Sequence, residues 1–196
     1  MRNIKLYKDS LLGFLTAAVL IGILMGVISY CCFDGDFLQK LGLAGADFAE
    51  TRNSMNFGRM MVNSLASSTV FLAVLFLCGL SSVGQPAEIA VLAFRGMGLG
   101  ITVSQMYITF GTGKILYSIL MVVPAAAVST AAMIAGGREA VKLSNIYLRI
   151  SFSDRQERGL LEPLKLYGAK FIVLEAVLAV SAGIECLCVI LLKGRF

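Results

Sequence analysis

Three ionisable side chains lie inside apolar runs of this 196-residue chain: Arg95, Glu175 and Glu185. A charge inside lipid costs at least about 2.5 kcal/mol, so such residues face other helices or water and are candidates for a transport or proton-relay site. The same residues are compatible with a structural ion pair. The chain has no histidine, which removes the usual general base and the commonest metal ligand. No catalytic, cofactor-binding or metal residue is therefore predicted.

Other motifs that carry chemistry are weak in this sequence. The five cysteines never show the C-x-x-C spacing of a zinc or redox site. Gly96, Gly98 and Gly100 lack the G-x-G-x-x-G spacing of a nucleotide-binding turn, and residues 111–114 lack the first glycine of a P-loop. The glycines of the third apolar run are better explained by close helix packing.

Composition places all of these residues in a membrane. Of the residues, 58% are hydrophobic and 15% are charged, against roughly a quarter charged in a soluble domain. Five apolar runs are long enough to cross a bilayer, which predicts one all-α polytopic membrane domain over 1–196. The predicted spans are 11–32, 60–80, 87–107, 115–135 and 171–192.

The net charge of +5 does not indicate nucleic acid, because the basic residues flank the spans, where membrane lipid is the expected partner. With five spans, the N-terminal segment and residues 138–170 share a side and hold ten Lys and Arg residues, against six on the other side. The positive-inside rule then places the N-terminus in the cytoplasm of a multi-pass cell-membrane protein.

Small residues predict how the helices pack. Gly22 and Gly26 form a G-x-x-x-G face in the first span, and Gly96 and Gly100 form another in the third. Ala127, Ala131 and Ala135 predict a packing face on the fourth span.

Turn and breaker residues predict where the helices begin, bend and end. Gly79, Gly84 and Pro86 predict a tight turn between the second and third spans, with Pro86 near a helix start. Pro124 predicts a kink, and Gly136-Gly137 predicts the end of the fourth span. Apolar residues at helical spacing after it predict a helix that either extends this span or lies at the interface.

The polar candidates differ in depth. Asn63 lies at the membrane edge, where water or a cross-helix hydrogen bond would satisfy its amide. From the predicted span ends, Arg95 lies roughly 12 Å from the cytoplasmic edge, Glu175 roughly 6 Å and Glu185 roughly 21 Å. Glu175 is the nearer match, but a shift of three residues at a span end leaves either glutamate as a partner of Arg95.

The polar segment 33–59 between the first two spans carries mixed charges, and its apolar residues suggest a short amphipathic helix. It is either a solvated connector or a docking surface for a partner.

The order of these features resembles the stage II sporulation protein M family of bacterial membrane proteins. The resemblance covers nearly the whole chain, and its residues are Gly22, Gly26, Asn63, Gly79-Leu80-Ser81-x-x-Gly84-x-Pro86, Arg95-Gly96-x-x-x-Gly100, Pro124 and Ser181-Ala182-Gly183-Ile184-Glu185. The chain departs from the family in its charge-rich segment 33–59, and other basic or amide residues stand at the position of Arg95 in the family.

The resemblance implies a non-enzymatic scaffold that recruits two peptidoglycan-degrading partners, stage II sporulation proteins D and P, to the septal membrane during forespore engulfment. The alternative is a small permease or channel subunit that uses Arg95 with Glu175 or Glu185. An enzyme acting on lipid is disfavoured by the missing histidine. The sequence leaves open whether the chain forms an oligomer.

Overall fold

The computed structural model describes residues 2–32, 57–81, 84–110, 115–152 and 161–193, and the predicted all-α fold is confirmed over these ranges. The chain forms five helices in this described part: α1 (Arg2–Cys32), α2 (Phe57–Gly79), α3 (Gln85–Phe110), α4 (Ile115–Phe152) and α5 (Leu161–Lys193). Long apolar helices are the expected outcome in lipid, because a helix satisfies its own backbone hydrogen bonds where water is absent. Segment 33–56, which contains all the apolar residues that predict the amphipathic helix, lies outside the described residues.

Four of the described helices are long and apolar enough to cross a membrane, and their candidate spans are Leu11–Cys32, Met61–Gly79, Gln85–Gln105 and Glu162–Cys188. The last of these begins nine residues before the predicted start at residue 171. The crossing predicted over 115–135 belongs to α4, which is not among the four, so a fifth crossing stays a prediction.

Contacts between the helices fix their relative directions. Gly22 of α1 lies against Ala93 of α3, and Gly26 lies against Met97, so these two helices run parallel. On α4, Gly137 contacts Leu92 of α3, and Asn145 accepts a hydrogen bond from Gln85 at 2.8 Å. From the first pair to the second, the residue number rises along α4 and falls along α3, so these two helices are antiparallel.

The fifth helix is antiparallel to both of its neighbours. Ser181 of α5 donates a hydrogen bond to the carbonyl oxygen of Ala125 on α4, and Lys170 reaches Glu139. Along α2, Ser64 bonds Glu185 and Thr69 bonds Glu175. The five helices therefore alternate in direction, which is the arrangement of a bundle whose successive helices cross the same layer.

All five helices contribute to one core. Its centre holds one fully buried residue from each helix, namely Leu15, Leu75, Leu92, Met133 and Leu178. Large apolar side chains are also exposed on the outside of the bundle, among them Leu20, Leu24, Val62, Val70, Ile172 and Val180. A soluble protein would bury such side chains, so these outer faces are suited to contact with lipid.

Two predictions for α4 are wrong. Gly136-Gly137 does not end the helix, which continues to Phe152. Both glycines are buried against neighbouring helices, so they serve close packing and not termination. The predicted packing face is also wrong, because Ala127 and Ala131 are exposed.

The buried face of α4 lies elsewhere and includes Ala125, Ser129, Ala132 and Met133. Pro124 lies inside the helix, which is continuous through it.

Candidate functional site

The glycines predicted for close packing form one contact, between α1 and α3. A Cβ atom at Gly22 would lie 2.9 Å from the carbonyl carbon of Ala93, and one at Gly26 would lie 3.0 Å from the carbonyl carbon of Met97. In return, Cβ atoms at Gly96 and Gly100 would each lie 3.1 Å from a carbonyl carbon of α1, at Val19 and Ile23. We call these four glycines the α1–α3 seam. They allow the two backbones to touch, because no side chain stands between them.

The turn between α2 and α3 depends on its predicted glycines in the same way. A Cβ atom at Gly84 would lie 2.7 Å from the carbonyl carbon of Cys78, and one at Gly79 would lie 2.9 Å from the Cα atom of Ala140. Helix α3 begins at Gln85, and its first backbone bond runs from Glu88 to the carbonyl of Gly84 at 2.9 Å. Pro86 is the second residue of the helix, where its missing N–H costs nothing.

Arg95 lies among side chains from three other helices. Its Nη2 donates to the hydroxyl of Ser129 on α4 at 3.4 Å, and its guanidinium carbon lies 5.5 Å from the ring centroid of Phe71 on α2. Glu185 on α5 is close enough to attract it electrostatically. Its Nε is buried and has no hydrogen-bond partner. Of the two glutamates that the sequence left open as partners, Glu185 is the one that attracts Arg95 electrostatically.

The other polar candidates contact α2 or solvent. Ser64 of α2 donates a hydrogen bond to Glu185, and Thr69 donates one to Glu175. Asn63, on the outer face of α2, is exposed. Among the described residues, the intramembrane carboxyl groups of Glu175 and Glu185 therefore join α2 to α5, while Asn63 stands apart from this cluster.

A second polar region lies at the other end of the bundle, on the side predicted to be cytoplasmic. The Tyr167 hydroxyl on α5 donates to the carbonyl oxygens of Phe76 at 3.1 Å and Leu75 at 3.4 Å, near the end of α2. The rings of Phe76, Tyr167 and Phe171 pack together with centroid distances of 4.6 to 5.2 Å. This cluster fixes the end of α2 against α5.

Glu88 is a further candidate in this region, and the sequence pattern did not predict it. Its side chain is fully buried, and neither carboxyl oxygen has a hydrogen-bond partner in the described part of the chain. Glu88 stands near the start of the predicted span 87–107, where the sequence pattern is that of a hydrated carboxylate at the interface. Its burial depends on the packing of the neighbouring helix ends, which the sequence pattern does not show.

Glu139 of α4 holds two lysines at this end of the bundle. Its carboxylate pairs with Lys142 on the same helix and with Lys170 on α5, the latter at 2.5 Å. Partial burial acts to raise the pKa of Glu139, but the hydrogen bonds and charges of Lys142 and Lys170 outweigh it, so the pKa lies below its usual range.

Glu139→Gln is expected to remove part of the acid sensitivity of the protein. Because the folded-state pKa is lowered, the stabilisation is complete above the unfolded-state pKa, about 4.3, and is lost as the pH falls through the folded-state value. Both lysines are well exposed, so we expect an effect of at most about 1 kcal/mol. The measurement is the unfolding midpoint in detergent at neutral pH and near pH 4, with the exposed Glu162→Gln as control. An equal effect of both variants would contradict the prediction.

No family model, characterised protein or solved structure matches the chain. The resemblance to the stage II sporulation protein M family therefore stays a prediction, and the candidate site is described by its own geometry alone.

Proposed function

We propose that the chain is a non-enzymatic scaffold in the cell membrane that recruits peptidoglycan-degrading partners to the sporulation septum. The sequence resemblance supplies the biological setting. The structural observation in its support is that three pairs of polar side chains within the spans join different helices: Ser64 with Glu185, Thr69 with Glu175, and Arg95 with Ser129. Such contacts stabilise one arrangement of the bundle, which is what a platform for other proteins needs.

The partners of this scaffold are the wall-degrading stage II sporulation proteins D and P, which act outside the cell membrane. In the proposed orientation, segment 33–56 lies on that side and carries both acidic and basic residues. Its position and mixed charge make it the contact surface that we assign to the partners.

Co-purification from sporulating cells tests the proposal. The tagged full chain is expected to recover both partners, and a variant in which segment 33–56 is replaced by a Gly/Ser segment of equal length is expected to insert normally but to recover neither. Deletion of the gene is expected to stall engulfment, seen by membrane staining. The scaffold proposal fails if the inserted, tagged protein recovers neither partner.

A small permease or channel subunit is the second candidate. It is favoured by one observation, the buried Nε of Arg95 that has no partner in the described bundle. In that case Arg95→Ala and Glu185→Gln would each abolish a flux in liposomes while insertion is retained. A scaffold has no flux to lose, so ion and solute flux across liposomes containing the wild-type protein separates the two candidates.

A further inference from the structure

Glu88 is a fully buried carboxyl group that the scaffold proposal does not use. It belongs to the first turn of α3, and Leu92, one turn further along, packs against Gly137 of α4. Both oxygens of Glu88 are inaccessible and have no hydrogen-bond partner in the described bundle. A carboxylate without a partner in such a place is costly, because water is removed and nothing replaces its hydrogen bonds.

In the described bundle, no hydrogen bond joins Glu88 to a cation. Two described titratable groups lie within electrostatic range of Glu88, the Cys78 thiol on α2 and the Tyr167 hydroxyl on α5, and neither of them can carry a positive charge. The Tyr167 hydroxyl already donates to the carbonyl oxygens of Phe76 and Leu75.

The charged residues of α4 at this end are Arg138, Glu139 and Lys142. Glu139 is paired with Lys142, and no hydrogen bond joins Arg138 to Glu88, since the Glu88 oxygens have none. On α1, Lys5 and Lys8 precede residue 11, where the described side chains of that helix begin. In the described bundle, the neutral acid is therefore the form of Glu88 that this site accommodates.

The described residues at both ends of the α2–α3 turn, Gly79 and Gly84, are closely packed. Gly84 lies against the carbonyl group of Cys78, and Gly79 lies against Tyr167 and Ala140. At Gly79, the α2 end of this turn is thus packed on both α4 and α5. Because both Glu88 oxygens are inaccessible in the packed arrangement, contact with water requires a change in the packing around them.

We propose that Glu88 is a proton-binding site: the carboxyl group holds a proton while the α2–α3 turn is packed on α4 and α5, and loss of that proton to water loosens the turn. The reaction is a simple ionisation in which the O–H bond breaks, the proton goes to water and the electron pair stays on the carboxylate. The proton is thus a ligand of the packed state. Its release makes the packing of the turn depend on the pH of the side predicted to be cytoplasmic.

Linkage gives the sign of the expected effect. The unfolded chain releases this proton near pH 4.3, whereas the packed state retains it to higher pH, so stability falls as the pH rises between these two values. The wild-type unfolding midpoint should therefore fall by roughly 3 °C per pH unit within this interval. Glu88→Gln, which mimics the neutral acid, should abolish this fall. Glu139→Gln removes a carboxylate that has partners at the same end, so it should leave the fall unchanged.

Two further measurements on the full chain in detergent or nanodiscs test the site directly. Infrared spectra at neutral pH should show a protonated-carboxyl band that Glu88→Gln removes, Glu88→Asp shifts and Glu139→Gln leaves intact. Hydrogen exchange of residues 79–88 should be equal in the wild type and Glu88→Gln at low pH, and at least about tenfold faster in the wild type near pH 9.

The result that overturns the proposal is a neutral-pH spectrum in which neither Glu88→Gln nor Glu88→Asp changes the protonated-carboxyl band. If Glu88→Gln does not fold, the shift caused by Glu88→Asp decides. Arg138→Gln provides the remaining comparison. If it creates the band in a protein that lacked it, Arg138 neutralises an ionised Glu88 and the proposal is wrong.

Discussion

Gly22→Ala is expected to destabilise the protein by about 2 to 3 kcal/mol, whereas Gly98→Ala on α3 is expected to stabilise it by up to about 1 kcal/mol. Both changes replace a helical glycine with the best helix former, so the local effect is the same. The difference is the space available. A Cβ atom at Gly22 overlaps the backbone of Ala93, which cannot rotate away, while one at Gly98 meets nothing within 4 Å.

Thermal unfolding in mild detergent, followed with a thiol-reactive dye, measures this difference. Unfolding exposes the buried Cys186 above the constant signal of the exposed Cys31 and Cys32. Gly26→Ala should behave like Gly22→Ala, because it lies in the same α1–α3 seam, and the exposed Gly13→Ala should behave like Gly98→Ala. Two seam variants as stable as their controls would show that α1 and α3 do not touch as described.

Arg95→Met is expected to cost about 1.5 to 3 kcal/mol, because it removes the charged donor to Ser129 and the positive neighbour of the buried Glu185 carboxyl group. Combining it with Glu185→Gln should restore most of the stability, since the remaining pair carries no charge. Arg95→Lys keeps the charge but loses the planar contact with Phe71 and the reach to Ser129, so we expect it to fall between the two.

A double-mutant cycle gives this prediction its control. The coupling energy of Arg95→Met with Glu185→Gln should exceed about 1 kcal/mol, while that with Glu175→Gln should be close to zero. Glu175→Gln alone should cost only about 0.6 kcal/mol, the typical value of one hydrogen bond between membrane helices, here the bond from Thr69. A larger coupling with Glu175 would reverse the assignment.

The positions of the first three candidate spans could be predicted closely, because long apolar runs bounded by charged or turn residues leave a helix in lipid few alternatives. The start of α1's span at Leu11 and the turn at Gly84 and Pro86 are examples. The end of α4 could not be predicted from Gly136-Gly137, because a pair of glycines can either end a helix or allow close packing of neighbouring side chains. In a soluble helix a Gly pair indicates a terminus, but here it lets Leu72 and Leu92 approach.

The candidate site was less predictable than the helices. Gly22 and Gly96 were each identified as packing residues, yet nothing in a one-dimensional pattern states that they meet across α1 and α3. Likewise, depth along a helix could not decide between Glu175 and Glu185 as the neighbour of Arg95, because that choice depends on the rotation of α5. Glu88 was missed for a related reason, since its burial depends on the neighbouring ends of α2 and α5.

The hydrogen bonds between α2 and α5 have a consequence for synthesis of the protein. Both glutamates of α5 lie opposite hydroxyl groups of α2, a helix that leaves the ribosome about a hundred residues earlier. When α5 reaches the membrane, the hydroxyl donors for its two carboxyl groups are already in place on α2, which lowers the cost of bringing those groups into lipid. The order of synthesis thus places the hydroxyl groups of α2 in the membrane before the two glutamates of α5 arrive.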